Sequence, residues 1–156
     1  MRIVDFITPD RVIASLEAAD KTSVLRELAG HLVTCDEHLK EGDVGRVVEV
    51  LLERERLAST GISDGVAIPH GKLGGLPGIS ACLGIKREGL DFSAIDNQPS
   101  RIFIVLLAPE NSAGLHLKAL ARISRLFKDA GFRQRVLEAQ TAEDIYRVIA
   151  DEDARQ

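Results

Sequence analysis

The chain has 156 residues, 45% hydrophobic and 28% charged, a balance that excludes a disordered protein and allows one domain with a real core. A net charge of −4, no Trp and a single Tyr argue against nucleic acid as the main partner, which would need a basic face or stacking aromatics. No apolar run approaches the roughly 20 residues of a membrane span, and Met1-Arg2-Ile3-Val4-Asp5 has no secretory pattern. A cytoplasmic location without membrane insertion is therefore expected. Cys35 and Cys82 lie far apart without CxxC spacing and are expected as reduced thiols.

In chain order, Asp20 or Thr22 caps a helix to about Cys35, with Val24, Leu25, Leu28, Ala29, Leu32 and Val33 as its apolar stripe. After a polar break from Asp36 to Gly42, Asp43 caps a second helix through about Arg56, with Val44, Val47, Val48 and Leu51 inward. The loop Ala58–Gly65 leads into a short strand, Val66-Ala67-Ile68, that ends at Pro69-His70. A glycine-rich loop, Gly71 to Gly78, follows. Ile79–Lys86 reads as a strand, Leu90–Phe92 as a short edge piece, and Arg101–Ala108, apolar throughout from Ile102 to Leu107, as a strand covered on both faces. Helices are expected over Ser112–Lys128, Gly131–Ala139 and Ala142–Asp151. With no repeat or linker, the expectation is a single α/β (α+β) domain over residues 1–156. Helices and strands do not alternate strictly, so the sheet is expected to be mixed.

His70 is the most informative residue. It stands between Pro69, which has a fixed φ and no N–H, and Gly71, whose missing Cβ leaves room for a bulky group on the imidazole. Upstream, Ser59, Thr60 and Gly61 form a hydroxyl- and glycine-rich segment of the type that offers N–H groups to an anion. His116 shares a helix face with Leu120, Ile123 and Phe127 and lies near that helix's N-terminus. Spacing leaves two readings of it open: an anion partner, or a core-edge histidine satisfied by a backbone carbonyl. Arg54 or Arg56, at the end of the second helix, has the planar fork that suits a phosphate, and spacing does not choose between them. His31 reads as a helix-flank residue and His38 as solvent-facing.

Other chemistries fail on inspection. Gly65 to Gly71-Lys72 has five intervening residues where a phosphate loop needs four, and Leu73 stands where Ser or Thr is required. Glycines 71, 74, 75 and 78 do not spell a dinucleotide fingerprint. Zinc needs three or four ligands, and only His70 and His116 stand out. Ser59 and Ser63 lack the Gly-x-Ser-x-Gly elbow of a hydrolase.

Arg54-Glu55, Ser59-Thr60-Gly61-Ile62, Gly65-Val66-Ala67-Ile68-Pro69-His70-Gly71 and His116-Leu117 with Leu120-Ala121 together resemble the IIA domains of the fructose–mannitol branch of the bacterial sugar phosphotransferase system. The resemblance covers nearly the whole chain. It implies a mixed sheet of about five strands with helices on both faces. It also implies that His70 accepts a phosphoryl group at Nε2 from a histidine phosphocarrier protein, with His116 and Arg54 contacting that group and Ser59, Thr60, Gly61 and Gly71 supporting it. Such transfer requires positioning and charge stabilisation, so neither metal nor cofactor is expected. Ser59-Thr60-Gly61-Ile62, Ala94-Ile95-Asp96-Asn97-Gln98-Pro99 and the lack of an attached IIB, IIC or carrier domain look like the nitrogen-regulatory subgroup, which signals through target proteins. The alternatives are a sugar-specific IIA component that passes phosphate to a IIB domain, and an interaction module without transfer.

Overall fold

The computed structural model describes residues 1–156. Its centre is β5 (Ser100–Ala108), where Ile102, Ile104 and Leu106 project to one face of the sheet and Phe103, Val105 and Leu107 to the other. All six are buried, which stabilises the fold by roughly 1.5–3 kcal/mol apiece. The continuous apolar run thus feeds two cores at once through the two-residue period of a strand. On one side β5 pairs antiparallel with β4 (Ser80–Leu90), which pairs parallel with β1 (Val12–Ile13). On the other side β5 pairs parallel with β2 (Val66–Ala67) and β3 (His70–Lys72), giving a mixed sheet of five strands.

One face carries α1 (Lys21–Cys35) and α2 (Val44–Leu57). The Asp20 carboxylate accepts from the Ser23 N–H at 2.9 Å and so caps α1 as expected. Asp43 does not cap α2 in that way. Its carboxylate turns back to the Lys40 N–H at 2.8 Å, because a 3₁₀ turn over Glu41–Asp43 runs straight into the helix. The other face carries α3 (Ala113–Phe127), α4 (Ala130–Glu138) and α5 (Ala142–Arg155), the last extending four residues past the expected end. A buried Asp153 ties this layer together. It pairs with Arg122 of α3 and accepts from the Val4 N–H at 3.1 Å.

The strands bearing the site depart from the sequence reading. Ile68 and Pro69 interrupt the ladder, because Pro69 has no N–H to give. The Pro69 carbonyl still accepts from the Leu106 N–H at 2.9 Å, so the chain stays beside β5 and pairing resumes at His70 opposite Leu106. His70, Gly71 and Lys72 are therefore strand residues, and the glycine-rich loop begins only at Leu73. Similarly, Ser80–Lys86 and Leu90 form one strand rather than two pieces, with Ile79 just outside it. A register shift between Ile85 and Leu90, with Gly89 at φ +78°, carries β4 through to pair Leu90 with Ser100. Phe92 leaves the strand and sits edge-on to Phe103 in the core, with ring centroids 5.3 Å apart.

Candidate functional site

His70 opens β3 with its ring half-buried. Its Nδ1 lies 2.7 Å from the Ile68 carbonyl oxygen, which can only accept, so Nδ1 carries the proton and donates. In the neutral ring the lone pair is then left on Nε2. Burial pushes the imidazole's pKa below its ordinary value, and the charge of Arg54 pushes the same way. The Ile68 hydrogen bond and Glu55 oppose them without reversing the sign. A neutral, Nδ1-protonated ring with a lone pair on Nε2 is a competent nucleophile near neutral pH.

His116 comes from the opposite layer, in the first turn of α3. Its ring centroid lies 5.3 Å from that of His70, with the planes at 76°. Only 9% of the residue is exposed, and its Nε2 is buried with no hydrogen-bond partner. The backbone carbonyl of the structural reading is thus absent from this nitrogen. Burial, His70 and Lys72 all lower the His116 pKa. An unpaired buried polar atom costs about 1–3 kcal/mol, and here that cost falls beside a nucleophile.

Of the two arginines, Arg54 is the one whose charge His70 senses. Its Nη1 donates to the Ala58 carbonyl at 2.8 Å, closing the C-terminal end of α2, and the residue is half-buried. The segment Ser59-Thr60-Gly61 is already committed within the chain. The Ser59 hydroxyl donates to the Phe92 carbonyl at 3.0 Å and accepts from the Gly61 N–H at 3.0 Å. Both the Thr60 N–H and its hydroxyl donate to Glu55. These groups shape the loop rather than offering free donors to an anion.

Glu55 organises that loop, although the sequence alone suggested no separate role for it. Its carboxylate is buried, holds Thr60 and pairs with Lys21 Nζ at 2.9 Å. A signal was available: Glu55 follows Leu51 by one helical step of four, so it falls on the buried face with Val47, Val48 and Leu51. Gly71 also has a different reason from the one expected. A Cβ there would stand 2.4 Å from Val50 Cγ1, so its missing side chain admits α2 rather than a group on the imidazole. Lys72, two residues on and therefore on the same side of β3 as His70, is a further cation of the site. His31 and His38 lie elsewhere: His31 Nε2 contacts the Asp10 carbonyl at 2.8 Å, and His38 sits beside Glu37.

Comparison with known proteins matches residues 5–152 to the family model described as "Phosphoenolpyruvate-dependent sugar phosphotransferase system, EIIA 2". A nitrogen regulatory protein of Bradyrhizobium diazoefficiens is 38% identical over 150 residues, covering 96% of this chain and 95% of the relative. A nitrogen regulatory protein of Pseudomonas aeruginosa is 36% identical, covering 97% and 96%. Among solved structures, the nitrogen regulatory protein IIA-Ntr of Neisseria meningitidis superposes with a TM-score of 0.84 at 29% identity, covering 94% of this chain and 98% of that one. No helix is long and apolar enough to cross a membrane.

Proposed function

The chain belongs to the EIIA type 2 family of the phosphoenolpyruvate-dependent sugar phosphotransferase system, and we propose that it carries a phosphoryl group on Nε2 of His70. The observation behind this is the 2.7 Å contact from Nδ1 to the Ile68 carbonyl, which leaves Nε2 as the nucleophilic nitrogen beside His116. The His70 lone pair attacks phosphorus on the phosphohistidine of a carrier protein. An N–P bond forms as the carrier's N–P bond breaks, and the carrier's nitrogen recovers its electron pair. Positive charge that develops on the His70 ring is met by the hydrogen bond from Nδ1–H to Ile68. The step asks for in-line positioning and charge stabilisation rather than proton transfer.

A phosphoryl group brings roughly −1.5 to −2 charges, by analogy with phosphorylated hydroxyl residues. Arg54 meets it by exchanging the Ala58 carbonyl for a phosphoryl oxygen, and the unpartnered Nε2 of His116 supplies a second contact. Ser59, Thr60 and Gly61 act indirectly, by holding the loop at the end of α2. Gly71 acts by letting β3 seat against that helix. Leu57 is exposed next to the end of α2, and Leu115 and Leu117 flank His116. An apolar rim of this type suits a protein donor, here a histidine phosphocarrier protein.

The role we assign is nitrogen-regulatory signalling through target proteins, on the likeness to relatives that bear that name over nearly their full length. The second reading, transfer to a IIB domain for sugar uptake, draws on the sugar phosphotransferase description of the family. Incubation with phosphoenolpyruvate, the first enzyme and the carrier should add one phosphate by mass, lost in His70→Ala and slowed in His116→Ala. No gain in the wild-type chain with an active carrier would overturn the proposal.

A further inference from the structure

Neither histidine lines the cavity of about 340 Å³ between the turn 62–66 and the C-terminal end of α3. Its floor is apolar, formed by Ile62, Val66 and Phe127. At its mouth stand Arg125 and Lys128, both exposed and neither paired with a carboxylate. The hydroxyls of Ser63 and Ser124 complete the wall. This combination, a volume at the low end of the small-molecule range with an apolar base and a few converging polar groups, is the usual form of a ligand site.

Charge decides what kind of ligand fits. Helix C-termini present carbonyls that repel anions, but here Arg133 Nη1 donates to the Phe127 and Lys128 carbonyls, each at 2.8 Å. The same guanidinium stands 4.0 Å from Asp64, the one carboxylate of the lining, and offsets its charge. Asp129, next in sequence, is engaged in capping α4 through the Phe132 N–H. Arg125 and Lys128 are therefore left as uncompensated cations above an apolar floor. We infer that this cavity binds a small organic carboxylate, its apolar body against Ile62, Val66 and Phe127 and its anionic end between Arg125 and Lys128.

The test follows backbone amide shifts of the full chain during titration with 4-phenylbutyrate, with 4-phenylbutylamine and inorganic phosphate as controls. The expected result is saturable movement at Ser63, Val66, Ser124 and Phe127 with the carboxylate, and none with the amine or the bare anion. Arg125→Ala/Lys128→Ala, two exposed positions, should weaken binding about tenfold, in line with two solvent-facing ion pairs. The inference is overturned by any of three results. These are no saturation up to about 10 mM, well above the millimolar Kd that about −4 kcal/mol represents; equal binding of the amine; or unchanged affinity in the double variant. The readout does not involve phosphorylation, so it stands or falls apart from the role of His70.

Discussion

Gly71→Ala is the sharpest probe of how the site is held. The added Cβ would meet Val50 Cγ1 at 2.4 Å, whereas carbon atoms in contact settle near 3.5–4.0 Å. Something must therefore yield by more than about 1 Å. Val50 is β-branched and stiff about χ1, so the methyl does not swing aside cheaply and β3 is pushed off α2 instead. Overpacking of this kind costs about 1–3 kcal/mol. Val50→Ala, at a half-buried position, removes two methyl groups and should cost about 1 kcal/mol alone. In the double variant the clash has no second partner, so its stability should approach that of Val50→Ala, short of additivity by about 1–3 kcal/mol. Urea denaturation with an unchanged m-value measures this. Phosphorylation of His70 should fall in Gly71→Ala and recover in the double variant. Additive losses, or a transfer defect that Val50→Ala does not relieve, would refute the packing account and restore the idea that Gly71 keeps space beside the imidazole.

Two other expectations concern the same region. Glu55→Ala leaves the Thr60 N–H, its hydroxyl and Lys21 without their acceptor, and should cost about 3 kcal/mol in denaturant unfolding. Glu55→Gln keeps one acceptor oxygen for Thr60 and should cost less; a loss below about 1 kcal/mol in the alanine variant would show that Glu55 does not hold the loop. Burial lowers the pKa of both His70 and His116 in the folded chain, below an ordinary value of about 6.5. Between the folded and unfolded pKa the unfolded chain binds more protons, so stability rises with pH through that window and is complete above about 6.5. Proton NMR titration should give midpoints below 6.5 for both rings, and a midpoint at or above the ordinary value for either would contradict the assignment.

The parts of the fold that were legible in the sequence are those where one local signal suffices. Asp20 with an apolar stripe behind it marked α1, and six apolar residues in a row marked β5. β1 was not legible, since two residues are too few to show alternation. The break at Pro69 could be foreseen, but the resumption at His70 depends on β5 offering Leu106 as a neighbour. At the site, the motif around His70 and the helix face of His116 were readable. The reasons attached to Gly71 and to Ser59-Thr60-Gly61 were not, because they depend on Val50, Phe92 and Glu55 arriving from other elements.

The bond from the His70 ring to Ile68 spans only two residues of one chain segment. Which nitrogen bears the proton is thus decided by the local course of the backbone through Pro69, without help from any distant side chain. His116 and Arg54, by contrast, come from two separate helices. Changes in how those helices pack can retune the surroundings of the imidazole while its tautomer stays the same. Reactivity and environment are in this sense inherited separately, and a lineage can diversify the second without losing the first.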